Sequence, residues 1–201
     1  MENALWREGC ERVAGVDEVG RGPLAGPVVA GAVVLRYSRA GWVRRLRDSK
    51  QLDAASREEL AARIRRHCDH GIGVVSSHVI DQLGMTAATR LAMRRAVEQL
   101  DSPPDALIVD GREVVECETR QHAVIDGDAL CPSVAAASIV AKVARDRMMD
   151  ELERRFPGYG FARNKGYATA EHREALRRIG PSSVHRLLFA PVREVLERRS
   201  R

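Results

Sequence analysis

Residues 16–23 read Val16-Asp17-Glu18-Val19-Gly20-Arg21-Gly22-Pro23. They place two adjacent carboxylates at the end of an apolar run that begins at Val13. Neighbouring side chains on a strand point to opposite faces, so both carboxylates can face one cavity only if the chain bends there. The glycines on either side of Arg21 permit a bend. The segment therefore predicts hard oxygen ligands for Mg²⁺ or Mn²⁺ beside backbone N–H groups and a guanidinium that bind phosphate.

Composition narrows the classes of protein that fit this segment. The chain has 201 residues, 44 % of them hydrophobic, with a net charge of +5 and a pI near 9.4. The positive charge favours an anionic partner such as nucleic acid. Four widely spaced cysteines without a Cys-x-x-Cys pair argue against a zinc site. No signal peptide is visible and the longest apolar run, 27–35, is too short to span a bilayer, so we expect a cytoplasmic protein without membrane contact.

Hydrophobic periodicity predicts alternating strands and helices. The predicted strands are 13–16, 28–35, 73–76, 106–109 and 123–125, the first two forming a hairpin. The predicted helices are 56–67, 86–100, 133–156, 170–179 and 192–199. Ser56 and Glu59 form a capping-box pattern that would open the first helix. We therefore expect an α/β fold in a single domain, 1–201, with a helical C-terminal extension from about 170.

Further carboxylates follow the predicted strands. Asp110 ends the fourth strand, and both Asp126 and Asp128 follow the fifth. Several carboxylates at one edge repel each other unless cations neutralise them, and two Mg²⁺ ions about 4 Å apart would do so while promoting phosphodiester cleavage. The pattern predicts a two-metal site on a basic α/β domain. It leaves open whether Asp126 or Asp128 belongs to the site.

Lysine is rare in this chain. Of 33 basic residues, only Lys50, Lys142 and Lys165 are lysine. Arginine evidently supplies the general surface charge, so the lysines are candidates for positions that need a compact ammonium, such as phosphate contacts.

Several motifs together resemble the ribonuclease HII family over roughly residues 12–190. They are Gly-Val-Asp-Glu-Val-Gly-Arg-Gly-Pro at 15–23, Asp-Ser-Lys-Gln-Leu at 48–52, Ile-Val-Asp-Gly at 108–111, Gly-Asp at 127–128, Ala-Ala-Ala-Ser-Ile-Val-Ala-Lys at 135–142 and Asn-Lys-Gly-Tyr-Ala-Thr at 164–169, followed by His172, Pro181-Ser182 and His185-Arg186. Val19 stands where that family usually has Ala. Ribonuclease HIII usually carries an additional N-terminal domain and lacks the Gly-Arg-Gly-Pro form, so it fits less well.

The resemblance implies a ribonuclease-H-like mixed sheet of about five strands flanked by helices. It implies Mn²⁺ or Mg²⁺ as cofactor, held by Asp17, Glu18, Asp110 and Asp128. It also implies substrate contacts: 2′-OH recognition by Gly20, Arg21 and Gly22, stacking of Tyr167 on the next sugar, and phosphate contacts from Ser49, Lys50, Lys142 and Lys165.

The implied activity is metal-dependent endonucleolytic cleavage of the RNA strand of RNA–DNA hybrids. It includes incision at single ribonucleotides embedded in duplex DNA, leaving 5′-phosphate and 3′-hydroxyl ends. We also expect the protein to be monomeric. Two alternatives remain. A different two-metal nuclease of similar fold would tolerate all-DNA substrate. A phosphate-binding module would use the 20–22 turn without hydrolysis, although the chain lacks a P-loop or dinucleotide-binding pattern.

Overall fold

A mixed five-stranded sheet lies at the centre of the protein. The computed structural model describes residues 1–35, 41–46 and 53–199. The strands lie in the order β3-β2-β1-β4-β5, with bounds β1 Val13–Val19, β2 Val28–Val34, β3 Asp69–Val75, β4 Ala106–Asp110 and β5 Arg120–Val124. β2 pairs antiparallel with β1 and β3, whereas β4 pairs parallel with β1 and β5. The predicted mixed sheet and its first hairpin are confirmed.

Helices flank the sheet in the described part of the chain. Their bounds are α1 Glu2–Arg7, α2 Gly41–Arg45, α3 Ala54–His67, α4 Ser77–Leu83, α5 Met85–Glu98, α6 Gly127–Leu130, α7 Pro132–Arg155, α8 Phe161–Asn164, α9 Ala170–Ile179 and α10 Ala190–Arg199. The predicted C-terminal helices correspond to α9 and α10. Among the helices just given, none is both long and apolar enough to cross a membrane.

Two long helices bury opposite faces of the sheet. The apolar half of α7 packs Ala136 and Val140 into a cluster with Val33 of β2. On the other face, α5 packs Ala92 and Met93 into a second cluster with residues of β1 and β2. Alternate residues of a strand face opposite sides, so both faces of the hairpin must be apolar. Because both faces of the sheet are buried, polar functional side chains can reach solvent only near the ends of the strands.

The structure corrects two local predictions. Asp53, rather than Ser56, is the N-cap of α3, and its Oδ1 accepts a hydrogen bond from the Ser56 N–H at 2.7 Å. Aspartate caps as well as serine does, so the earlier residue starts the helix. β1 also does not bend at its acidic pair, because regular pairing with β2 continues through Val19. The chain turns only at Gly20, whose φ is +93°.

Candidate active site

The carboxylates of β1 and β4 meet at one edge of the sheet. These strands are parallel neighbours, so their C-terminal ends place Asp17, Glu18 and Asp110 side by side. The Gly127 N–H donates to Asp110 Oδ1 at 2.6 Å, which ties the start of α6 to the same edge. Asp128 follows in α6 and is only 8 % exposed. We call Asp17, Glu18, Asp110 and Asp128 the acidic edge.

The acidic edge disfavours full ionisation. Asp17 is only 6 % exposed. Burial, followed by the charges of Glu18 and Asp110, raises the pKa of Asp17 to about 8, although a hydrogen bond with Ser138 acts in the opposite direction. Burial also raises the pKa of Glu18, against the opposing effect of Arg21. A bound cation would relieve both effects by favouring the charged carboxylates.

Asp126 and Asp128 occupy different environments. Asp126 is exposed and takes a left-handed conformation before α6, with φ 55°. Asp128 is buried and lines a cavity of about 190 Å³. The other residues that line this cavity are Glu18, Val19, Arg57, Ser138, Ile139 and Lys142. Because Asp128 is buried and lines the same cavity as Glu18, it is a better candidate metal ligand than Asp126.

The donor set of the acidic edge suits a hard divalent cation, because it consists of carboxylate oxygens. Within the described ranges, however, no three carboxylate, imidazole or thiolate side chains are oriented to hold one ion. Asp17 and Glu18 leave the regular strand on opposite faces, although both are close enough to Asp110 for the charges to interact. A guanidinium nitrogen of Arg21 lies 3.3 Å from Glu18 Oε1, and Asp110 accepts from Gly127. Metal binding would therefore require at least Glu18 to exchange Arg21 for the ion.

A buried arginine holds the turn that follows β1. Arg186 is fully buried. Its guanidinium donates five hydrogen bonds of 2.5–3.1 Å to the carbonyl oxygens of Gly20, Arg21, Pro23 and Gly26. Burial, with a smaller contribution from the charge of Arg145, lowers the pKa of Arg186 to about 9. The planar donors of arginine suit several carbonyls at once, which fixes the course of this turn. We call residues 20–27 the clamped loop.

Arg145 provides a second buried clamp from α7. Its Nε donates to the Pro27 carbonyl at 3.0 Å, and its Nη atoms donate to the carbonyls of Lys165 and Ala25 at 3.0 and 3.3 Å. The loop is also joined to the chain before α9, because the Leu24 N–H donates to the Gly166 carbonyl at 2.8 Å. The clamped loop and residues 165–167 therefore form one unit.

Tyr167 lies beside the clamped loop. Its side chain is 46 % exposed. A Cβ atom built on Gly22 would lie 3.6 Å from Tyr167 Cε1, an ordinary contact distance. By contrast, a Cβ on Gly20 would lie 2.2 Å from Arg145 Nε, and the positive φ of Gly20 also favours glycine. The structure thus brings the predicted turn and Tyr167 together, and it places the strict need for glycine at Gly20.

Arg21 connects the clamped loop to the acidic edge. Its Nη1 lies 3.3 Å from Glu18 Oε1 and 3.2 Å from Glu113 Oε1. The Arg90 Nε donates to the other oxygen of Glu113 at 3.2 Å. Glu113, which the sequence did not single out, thereby gives the guanidinium of Arg21 a second carboxylate besides Glu18.

The predicted phosphate ligands are only partly described. Ser49 and Lys50 lie outside the described residues. Lys142 lines the cavity that contains Asp128, and its Nζ contacts Asp146 Oδ1 at 2.5 Å. The Nζ of Lys165 contacts Asp150 Oδ1 at 2.5 Å. Each described lysine is thus paired with an aspartate of α7.

For several residues of the site no role was predicted from the sequence: Arg57, Glu113, Ser138, Arg145 and Arg186. Ser138 precedes Lys142 by one helical turn, so helical spacing could have placed it on the same face. Arg186 lies in a motif of the family resemblance, but only the fold shows that Arg145 and Arg186 are buried and bind backbone carbonyls.

Comparisons with known proteins agree with this geometry. The family model described as ribonuclease HII matches residues 14–192. A ribonuclease HII from Dehalococcoides mccartyi is 49 % identical over 98 % of this chain and 94 % of its own length.

Two solved structures have a similar fold. The ribonuclease H2 from Pyrococcus horikoshii OT3 has a TM-score of 0.82 and 28 % identity, covering 94 % of this chain and 99 % of that one. The ribonuclease HII in a complex with PCNA from Archaeoglobus fulgidus has a TM-score of 0.72 and 29 % identity, covering 89 % and 95 %. On the family match, the near full-length identity and the shared sheet, the chain belongs to the ribonuclease HII family of ribonuclease H enzymes.

Proposed function

We propose that this enzyme cleaves the RNA strand of RNA–DNA hybrids and also incises duplex DNA at single embedded ribonucleotides. The observation that carries this proposal is the contact between Arg21 of the clamped loop and Glu18 of the acidic edge, at 3.3 Å. This contact places the clamped loop, which is suited to recognising a sugar, next to the acidic edge, which is suited to cleaving the adjacent phosphodiester. The products would carry 5′-phosphate and 3′-hydroxyl ends.

The proposed cofactor is Mn²⁺ or Mg²⁺, held by Asp17, Glu18, Asp110 and Asp128. When bound, such ions supply activation of the attacking water and stabilisation of the leaving oxygen. The protein's part is to hold charged oxygen donors at one edge. Ser138 and the Gly127 N–H orient Asp17 and Asp110 by hydrogen bonds. Arg21 also pairs with Glu113. If Glu18 binds a metal ion instead of Arg21, the guanidinium therefore keeps one carboxylate partner.

Recognition of the ribonucleotide is assigned to the clamped loop and Tyr167. Gly22 leaves its backbone open beside the ring, so a 2′-OH could approach the N–H and C=O groups of residues 20–22. That hydroxyl is what distinguishes RNA from DNA at one position. The half-exposed Tyr167 ring would stack on the sugar of the next nucleotide. Tyr167→Ala should therefore lose most activity at a single ribonucleotide while still binding metal.

Phosphate contacts are assigned to Ser49, Lys50, Lys142 and Lys165. Lys142 has the clearest support, because it lines the same cavity as Glu18 and Asp128. A backbone phosphate entering this cavity would compete with Asp146 for its ammonium group. Such contacts position the duplex and carry no sequence information.

The remaining parts of the proposal concern the whole chain. We propose that residues 1–201 act as a monomeric single domain, with α9 and α10 as its helical extension. We also propose that it acts in the cytoplasm, where a reducing environment suits its four free cysteines.

The test uses three duplexes of one sequence. One contains a single ribonucleotide, one has an RNA strand, and one is entirely DNA. Each is incubated with Mn²⁺, with Mg²⁺ or with a chelator, and the products are sized. We expect cleavage of the first two only, and only with metal. Cleavage of the all-DNA duplex would instead indicate a generic two-metal nuclease, and binding without cleavage would indicate a phosphate-binding module.

A further inference from the structure

Two histidines form a buried pair that the proposed chemistry does not use. His172 of α9 and His185 are both fully buried. Their Nε2 atoms lie 3.0 Å apart. The rings of Tyr159 and Phe161 pack around them, with ring-centroid distances between 4.8 and 6.2 Å. At this separation the two nitrogens must share one proton as donor and acceptor.

The surrounding donors assign that proton. The Ser182 N–H donates to His185 Nδ1 at 3.0 Å. A neutral His185 therefore has its proton on Nε2 and donates it to His172 Nε2. His172 must then have its proton on Nδ1, which lies 2.9 Å from the Tyr167 carbonyl oxygen. Each step follows from the previous one, because a neutral imidazole has one donor and one acceptor.

One end of this chain of hydrogen bonds reaches Tyr167. Its carbonyl also accepts from the Thr169 N–H at 2.8 Å, and its own N–H donates to the Asn164 carbonyl at 2.9 Å. His172 therefore adds to these local bonds, and to those that Leu24 and Arg145 make with residues 165 and 166, a hydrogen bond that links the Tyr167 carbonyl to His185.

The side-chain hydrogen bonds end at the Ser182 N–H, but the backbone around His185 pairs with the clamped loop. His185 pairs as an isolated bridge with Ala25, and its neighbour Arg186 donates its N–H to the Leu24 carbonyl at 2.8 Å. Arg186 also clamps the loop through its guanidinium. Ribonucleotide recognition was assigned above to the clamped loop and Tyr167. Two adjacent residues thus contact both parts: Arg186 holds the loop, and His185 acts through His172 on Tyr167.

We propose that His172 and His185 are positioning residues, a neutral pair of fixed tautomers that holds Tyr167 in place against Gly22 of the clamped loop. The proposal rests on the proposed function in one respect: it takes Tyr167 to contact the substrate. Neither histidine touches the reacting phosphate. Their effect is on where the tyrosine ring lies.

The environment keeps the pair neutral. Burial, together with the nearby His172, lowers the pKa of His185 to about 4. Burial also lowers the pKa of His172, against the opposing effects of its backbone contacts and Glu171. The Tyr159 hydroxyl donates to the Gly180 carbonyl at 2.6 Å and so does not compete for the imidazoles.

The first test is spectroscopic and does not depend on nuclease activity. Long-range ¹H–¹⁵N spectra of histidine-labelled wild-type protein at pH 7 report which ring nitrogen carries the proton. We expect the Nδ1–H tautomer for His172 and the Nε2–H tautomer for His185, with His172→Asn identifying the signals. The opposite tautomer at either residue, or a protonated imidazole, would overturn the proposal.

The second test uses two matched variants. The amide of His172→Asn lies near the former Nδ1 position and can still donate to Tyr167. The longer His172→Gln reaches toward His185 instead and loses that donation. We expect His172→Gln to lower incision at a single ribonucleotide by about three- to tenfold, the scale of one hydrogen bond. His172→Asn should stay within about twofold of wild type, although both variants melt at lower temperature.

The two variants distinguish positioning from simple packing. If both lose activity in proportion to their loss of melting temperature, the pair is only structural and the proposal is wrong. If the wild-type enzyme cleaves the all-DNA duplex, the proposed function is wrong. The tautomer spectrum would still show whether the two histidines form the hydrogen-bonded pair.

Discussion

The acidic edge and the clamped loop lie side by side, yet their charges are compensated in opposite ways. At the acidic edge, buried carboxylates crowd together and the pKa of Asp17 rises to about 8. Around the clamped loop, the buried guanidinium groups of Arg145 and Arg186 donate hydrogen bonds to the carbonyl oxygens of the loop. We propose that the first arrangement receives a cation, whereas the second is built around its own buried cationic side chains. Substitutions in the two regions should therefore change stability in opposite directions.

The largest expected effect is at the acidic edge. Asp17→Asn removes a buried charge and its repulsion with Glu18 and Asp110. Without metal, the variant should melt no lower than wild type at pH 8, whereas cleavage should fall at least about 100-fold. Calorimetric melting and single-turnover cleavage measure the two quantities. An Asp17→Asn protein that unfolds, or that cleaves normally, would remove Asp17 from the proposed ligands.

A matched pair controls this prediction. Asp126→Asn changes an exposed residue and should retain activity, whereas Asp128→Asn changes a buried one and should be inactive. The reverse result would show that Asp126 is the fourth ligand.

Substitution of a residue that holds the clamped loop should lower stability, the opposite of the effect expected at the acidic edge. Arg186→Leu leaves several buried carbonyls without a donor, so the free energy of unfolding should fall by about 3 kcal/mol. Chemical denaturation measures this loss. Arg177→Leu is the control, because Arg177 is exposed and pairs with Glu174 on the surface; it should change stability by less than about 0.5 kcal/mol. Equal effects would contradict the clamp.

Two glycines of the loop should separate folding from recognition. Gly20→Ala meets Arg145 and requires a positive φ, so it should lower the melting temperature and all activity. Gly22→Ala fits without strain but places a methyl group where the sugar should approach. It should melt like wild type yet cleave ribonucleotide substrates at least about tenfold more slowly. Normal cleavage by Gly22→Ala would place the 2′-OH elsewhere.

The histidine pair predicts a loss of stability in acid. In the unfolded chain both imidazoles take up protons near pH 6.5, whereas the folded pKa of His185 is about 4. The unfolded state therefore binds more protons in this interval, so the free energy of unfolding decreases as the pH falls from about 6.5 towards 4. Urea unfolding at several pH values measures the slope. His172→Asn should reduce that slope, and a slope equal to that of wild type in this variant would contradict the prediction.

The smallest effect is expected at the lysines. Lys142→Ala and Lys165→Ala should each flatten the salt dependence of duplex binding by up to about one unit of slope. A full unit requires the substrate phosphate to displace Asp146 or Asp150, since both lysines are paired in the structure. Lys50→Ala should behave in the same way. Unchanged slopes would assign these lysines to general surface charge.

The sequence predicted the parts of the fold that repeat a strong local pattern. β1, β2 and β4 are apolar runs, and α9 was predicted with the bounds that it has in the structure. β3 was predicted to begin at Gly73 but begins at Asp69, where polar residues and glycines weaken the strand pattern. Short helices such as α1 and α4 have too few residues for a recognisable period.

The sequence predicted those parts of the site whose functional residues are adjacent in the chain. The acidic pair and the turn after it could be read directly. The buried roles of Arg145, Arg186 and His185 depend on contacts between segments more than 100 residues apart, or between two side chains that only the fold brings together. The family resemblance includes His185 and Arg186, but no local pattern shows which groups they contact.

The most direct test of the account is the position and chemistry of the cut at one embedded ribonucleotide. The wild-type enzyme, with Mn²⁺, is given this duplex and its all-deoxy counterpart, and the end groups of the products are identified by mass. The account predicts one incision on the 5′ side of the ribonucleotide, with 3′-hydroxyl and 5′-phosphate ends, and no cleavage of the all-deoxy duplex. A 2′,3′-cyclic phosphate product, or comparable cutting of both duplexes, would contradict it.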